Sequence, residues 1–153
     1  MSDSWYTARL RKNNLRVTNE RQLVLSVLDR NHQRHLTVEE IYLQAHDEKP
    51  SIGMATVYRA VNLFVQHGIL HKFEFGDGKA RYEMVPGPEE PGHHHHLICK
   101  KCQKILNYDD FMEVERKFLE IVESGLERRY HFRIDDHIIH FYGCCETCAD
   151  EGS

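Results

Sequence analysis

Residues 92 to 102 read GHHHHLICKKC, four consecutive histidines running directly into a Cys-x-x-Cys. Imidazole and thiolate are the side chains that hold borderline divalent metals. The run is internal and enters the apolar pair Leu97-Ile98, so it reads as a strand carrying ligands rather than as a purification tag. On a strand, His94 and His96 face one way while His93 and His95 face the other, and both faces can build sites. A second Cys-x-x-Cys, Cys145 to Cys148, completes the chemistry. Cys99, Cys102, Cys145 and Cys148 supply the four thiolates of a tetrahedral structural Zn2+. Cys144 could replace Cys145 by pairing with Cys148 at a longer spacing, but reads better as a bystander. A disulfide framework fits less well, since no secretion signal is visible.

Other candidate donors are spread along the chain. His35 precedes Thr37, Glu83 ends a strand-like stretch, Glu113 and Glu115 lie in an acidic helix, and His137 falls near the C-terminus. Each alone is weak. His32, His46, His67, His71, His131 and His140 take the ordinary reading of polar side chains.

The elements that must position these residues divide into two halves. The chain has 153 residues and a net charge of −4, which by itself argues against nucleic acid. The distribution argues otherwise. Residues 1–82 carry 12 Lys/Arg against 9 Asp/Glu, while residues 83–153 carry 8 against 15. A mildly basic half joined to an acidic, His- and Cys-rich half suggests two tasks. No basic-then-apolar leader and no stretch of membrane-spanning length is visible, so a cytoplasmic protein is expected.

Residues 5–18 have an amphipathic helical pattern. Thr18 can cap a helix over 19–31, and Thr37 with Glu40 forms a capping-box pattern for the next. Pro50-Ser51 breaks that helix, and another runs from 54 to Gly68. Residues 69–85 read as strand, Gly76-Asp77-Gly78 turn, strand. Helices followed by a two-stranded wing make a winged helix-turn-helix. Pro- and Gly-rich residues 86–92 read as a hinge. Beyond it, short strands surround the first knuckle, an acidic helix spans 109–125 and stops at Gly125, and residues 129–145 read as strand-rich. The fold class is therefore α+β: a DNA-binding domain over 1–85, a hinge over 86–92, and a small α/β metal-binding domain over 93–153.

Four ordered stretches, IGMATVYRAVNLFVQHGI, GKARYE, HHHHLICKKC and FYGCCETC, resemble the ferric uptake regulator family, and the match runs from about residue 5 to 148. The resemblance implies a dimeric, metal-responsive transcription factor whose second domain is for dimerisation. It implies a regulatory site of His35, Glu83, His94 and His96. It implies a second site of His93, His95, a Glu of the acidic helix and His137, with Glu113 favoured over Glu115. It also maps the structural zinc onto Cys99, Cys102, Cys145 and Cys148. The peroxide-sensing branch has an Asp where this chain has Asn107, an uncharged and poorer iron ligand. The iron-sensing branch is favoured, with Fe2+ as regulatory metal and Zn2+ or Mn2+ as alternatives.

The start of the 54–68 helix can enter the major groove. Ala55 and Thr56 suit a thymine methyl, and Tyr58 and Arg59 can reach base edges or phosphate. Arg16 and Arg21 suit phosphates, and Lys79 the minor groove. The family resemblance implies an AT-rich palindromic operator as partner, bound by a homodimer or a tetramer; no membrane is expected. A zinc metalloenzyme is the rival class. It lacks any pattern such as HExxH that places a general base, and leaves the basic half without a role.

Overall fold

The computed structural model describes residues 5–32, 34–86, 95–135 and 137–150. The chain forms two compact units, residues 1–92 and 93–153.

The first unit contains α1 (Trp5–Lys12), α2 (Asn19–Arg30), α3 (Val38–Glu48), α4 (Met54–Gln66), β1 (Leu70–Glu74) and β2 (Ala80–Met84). Local chemistry sets most of these ends. The Thr18 hydroxyl accepts the Arg21 N–H at 3.3 Å and starts α2. At α3 the Glu40 N–H donates to the Thr37 hydroxyl at 3.3 Å, and the Thr37 N–H donates to the Glu40 carboxylate at 2.8 Å. Both bonds of the capping box are thus made. α4 ends in a Schellman turn: the Ile69 N–H reaches the Phe64 carbonyl at 2.8 Å and the Gly68 N–H reaches Val65 at 3.0 Å. Gly68 sits at φ 62°, where a Cβ is disfavoured. α1 is shorter than the amphipathic pattern suggests, because Asn14 turns into the left-handed region at φ 56°.

α2, α3 and α4 bury Val24, Val27, Leu28, Ile41, Ala45, Val57, Val61 and Phe64 in one apolar core. β1 and β2 pair antiparallel, from Leu70 opposite Met84 to Glu74 opposite Ala80. The segment before α3 adds to this hairpin. Leu36 and Tyr82 exchange both backbone hydrogen bonds, at 3.1 and 2.8 Å. Helices α3 and α4, followed by this hairpin, make the winged helix-turn-helix.

The second unit contains β3 (His95–Cys99), β4 (Ile105–Tyr108), α5 (Met112–Tyr130), β5 (His140–Gly143) and α6 (Glu146–Asp150). Its sheet has the order β4-β3-β5, with β3 antiparallel to β4 and parallel to β5. Two expectations fail here. The acidic helix does not stop at Gly125 but runs to Tyr130 and ends where His131 turns left-handed at φ 51°. Glycine weakens a helix interior by only about 1 kcal/mol and ends a helix where it turns left-handed itself, as Gly68 does and Gly125 does not. The strand-rich reading of 129–145 reduces to β5 among the described residues. No side chain of α5 is fully buried, and Val114, Phe118 and Ile121 lie bare along it at helical spacing. No helix among the described residues is long and apolar enough to cross a membrane.

Removing the Thr37 hydroxyl tests the capping account. Thr37→Ala is expected to destabilise the first unit by about 1 kcal/mol, and Thr37→Ser much less. Urea unfolding followed by circular dichroism measures this; equal stability of Thr37→Ala and wild type would reject the cap.

Candidate metal centres and nucleic-acid interface

The four knuckle sulfurs come together. β3 ends on Cys99 and its connection to β4 holds Cys102, while β5 leads into Cys145 and α6 carries Cys148. One donor atom from each of the four lies within 4.8 Å of all the others. The Cys102 and Cys145 sulfurs are 3.7 Å apart. A Zn–S distance of about 2.3 Å gives a tetrahedron with an edge of about 3.8 Å, so the donor set fits zinc in type and spacing. The backbone favours thiolate here. N–H groups of Cys102 and of Cys145, the latter at 3.4 Å, point at the Cys99 sulfur and hold its thiol down at about 5. Cys148 moves the other way, pushed up by its contact with the Cys102 sulfur and by burial. Four sulfurs this close can all ionise only around a cation. Cys144 is exposed and stands outside the group.

In the first unit, the Leu36–Tyr82 pairing sets His35 beside Glu83. His35 Nε2 lies 3.4 Å from the Glu83 carboxylate, and their side chains are 3% and 2% exposed. Phe73 and Phe75 meet the His35 ring edge-on at 5.6 and 5.8 Å. An imidazole and a carboxylate are thus held in an aromatic pocket.

In the second unit, β3 splits its histidines between faces. His95 Nε2 lies 3.1 Å from Glu115, and the Ile139 N–H approaches His95 Nδ1 at 3.4 Å. The His137 ring lies 5.7 Å from that of His95 and its Nδ1 is 2.7 Å from Glu123. Tyr108 donates to Glu115 at 3.0 Å; burial first, and that carboxylate second, push its hydroxyl up to about 12. His95, Leu119, Glu115, Glu123 and His137 line a cleft of about 570 Å³. His96, on the other face, is buried with its ring 5.1 Å from that of His140. His93 and His94 lie outside the described residues.

Glu113 lines the same cleft, but it is Glu115 whose carboxylate approaches His95. Glu113 pairs with Lys117 at 3.1 Å, and its side chain is 76% exposed. Residues two apart on a helix differ by about 200° in direction, so Glu113 and Glu115 meet the cleft from different sides of α5. Glu123, His140 and Tyr108 were missed from sequence. Glu115, Leu119 and Glu123 recur at helical spacing on one face, which was the available signal for Glu123.

α4 turns its apolar residues inward and leaves Ala55, Tyr58 and Arg59 exposed at its start, with Thr56 half-buried. Arg21, Lys49, Ser51, Thr56 and Arg59 line a cleft of about 390 Å³ beside it. Arg21 Nη1 donates to the Arg16 carbonyl at 2.5 Å, and Arg16 and Lys79 are exposed. The surface is basic where a recognition helix would present itself to DNA.

The family model for ferric uptake regulators matches residues 12–142. The ferric uptake regulation protein of Bacillus subtilis is 36% identical over 141 residues, spanning 92% of this chain and 89% of that protein. The peroxide-responsive repressor of Staphylococcus epidermidis is 31% identical over 148 residues, 95% of this chain and 89% of its own. Among solved structures, the ferric uptake regulator of Pseudomonas aeruginosa with manganese superposes with a TM-score of 0.74 at 29% identity, covering 93% of this chain and 98% of that one. The family's members are metal-dependent transcription factors that bind DNA as dimers, and are not enzymes. With a winged helix-turn-helix, a four-thiol cluster and a match over most of its length, this chain belongs to the ferric uptake regulator family.

Proposed function

We propose that the protein is an iron-responsive repressor of metal-uptake genes that binds AT-rich palindromic operators as a dimer. The observation that carries the metal response is the buried His35–Glu83 pair. Burying the Glu83 carboxylate among apolar side chains costs roughly several kcal/mol of desolvation, which a dication held beside it would offset. Imidazole and carboxylate together make half a shell for a borderline dication. His94 and His96 supply the rest of this regulatory site, as the family resemblance implies. His93, His95, Glu115 and His137 form the second site, and Cys99, Cys102, Cys145 and Cys148 hold structural zinc.

Ligands drawn from both units make metal affinity depend on the arrangement of those units. The arrangement that binds metal better gains population by that difference in affinity. The bound ion supplies charge and fixed coordination geometry. The chain's part is to hold His35 and Glu83 on the winged domain, so that metal occupancy is felt there. Ala55, Thr56, Tyr58 and Arg59 read base edges from α4, Arg16 and Arg21 hold phosphates, and Lys79 reaches the minor groove from the wing. The bare apolar stripe of α5 supports a second copy as its cover.

The deciding experiment measures operator affinity against buffered free Fe2+, Mn2+ and Zn2+. Fe2+ is expected to switch binding on. A response to Zn2+ or Mn2+ without one to Fe2+ would replace the iron reading with that metal. Release of the iron-loaded protein by peroxide would place it in the peroxide-sensing branch. Glu83→Ala or His96→Ala should raise the metal concentration needed by roughly tenfold or more, with zinc content and dimer mass unchanged. His95→Ala should have a smaller effect. A reversed order of effects would reject the assignment of the two faces.

Cys99→Ser is expected to release zinc and to unfold or monomerise the second unit, because thiolate–zinc binding is folding free energy, on the order of 10 kcal/mol. Elemental analysis beside the oligomer mass checks this. A variant that keeps one zinc per chain and stays dimeric would reject the four-cysteine assignment.

Arg59→Ala is expected to relax preference at one position of each half-site by about 1–3 kcal/mol. Affinities for single-base operator variants decide the point, and an even loss across all sequences would reduce Arg59 to a phosphate contact.

A further inference from the structure

An ion pair ties the loop between β1 and β2 to the start of β2. Asp77 and Arg81 meet fork to fork, with Arg81 Nη1 donating to Oδ1 at 3.0 Å and Nη2 to Oδ2 at 2.6 Å. Their side chains are only 16% and 14% exposed. A second ion pair of the hairpin, Lys72–Glu74, is 45% and 68% exposed. Asp77 Oδ1 also accepts the Lys79 N–H at 3.1 Å. With the Arg81 guanidinium as the main cause, the Asp77 carboxyl is held down at about 2, so the pair stays charged throughout the physiological range.

Arg81 is anchored in turn. Its guanidinium lies 5.9 Å from the Phe75 ring centre, and Phe75 stacks on Phe73 at 5.6 Å. Contacts therefore run without a break from the aromatic pocket around His35, through Phe75 and Arg81, to Asp77 and the backbone of Lys79.

This loop needs such an anchor. Gly76 and Gly78 sit at φ 91° and 74°, and turns built on glycine have little conformational preference of their own. The chemistry of Asp77 is also opposed to its location. A free carboxylate two residues from a DNA-facing lysine would repel phosphate. Inside the Arg81 fork its charge is neutralised while it still fixes the backbone.

We propose that Asp77 and Arg81 are positioning residues for DNA binding: their bidentate pair holds the wing tip so that Lys79 meets the operator. This rests on the reading of Lys79 as a DNA contact. The two readings of Asp77 differ in sign. As a mere surface charge, its removal would tighten binding; as a positioning residue, its removal weakens binding.

The test uses the full-length dimer, zinc-loaded and saturated with regulatory metal, on one synthetic operator. Lys79→Ala, Asp77→Asn, the double variant and Arg81→Lys are compared, with melting temperature and zinc content confirming the fold. Lys79→Ala is expected to weaken binding roughly three- to tenfold, the scale of one hydrogen-bonded contact. Asp77→Asn should weaken it by a similar factor despite removing a negative charge. Arg81→Lys should do the same, because a lysine keeps the charge and loses the fork. Adding Asp77→Asn to Lys79→Ala should cost nothing more. Tighter or unchanged binding by Asp77→Asn, or a loss that persists in full in the Lys79→Ala background, would overturn the proposal. Wild-type affinity of Lys79→Ala would instead overturn the wing contact itself, and the positioning role with it.

Discussion

The second unit has almost no apolar core, and much of its architecture follows from that. Among its described residues, the buried side chains are His95, His96, Ile98, Cys99 and Cys148. The first unit buries a continuous set from Tyr6 to Met84. A unit this small cannot be held by burial alone and needs a staple or a partner. The sulfur cluster can serve as the staple: it brings the end of β3 and the β3–β4 connection together with α6 and the residue before it, which are far apart in sequence. The uncovered face of α5 asks for the partner. The four-thiol cluster and the family's dimeric habit would both answer the same deficit.

The first unit solves a different problem. It has core enough to fold by packing, and can therefore carry a polar pair inside it. The two hydrogen bonds between Leu36 and Tyr82 make that possible. They lay the approach to α3 along β2, and so set His35 beside the strand that carries Glu83. A one-residue shift of register would carry Glu83 to the other face of the hairpin, because side chains alternate along a strand. The pair is as precise as the pairing beneath it.

Local chemistry was legible in the residues. Thr37 with Glu40, Gly68 after an apolar helix and two Cys-x-x-Cys units each declare themselves within a few positions. What was not legible depends on partners distant in sequence. The Leu36–Tyr82 bridge joins two segments that carry no mutual signal. Gly125 looks like a stop, yet its neighbours kept helical geometry through it. Glu113 and Glu115 are equivalent as letters, and only the rotation of α5 about its axis separates them. His140 enters beside His96 through the parallel pairing of β3 and β5, and parallel pairing has no short-range signature.

The charge distribution resolves the apparent conflict between a net charge of −4 and DNA binding. At physiological ionic strength the Debye length is about 8 Å, so phosphates respond to the nearest charges and not to the total. Around α4 those are Arg21, Lys49 and Arg59. Acidic side chains in this region are already matched: Glu20 bonds Lys49 at 2.5 Å, which helps hold its carboxyl below the ordinary value. The same rule operates at the wing, where Arg81 cancels Asp77. In both places an acid is kept close to the DNA-facing surface only with a cation assigned to it. That leaves the local field positive while each carboxylate contributes order that a neutral side chain would not.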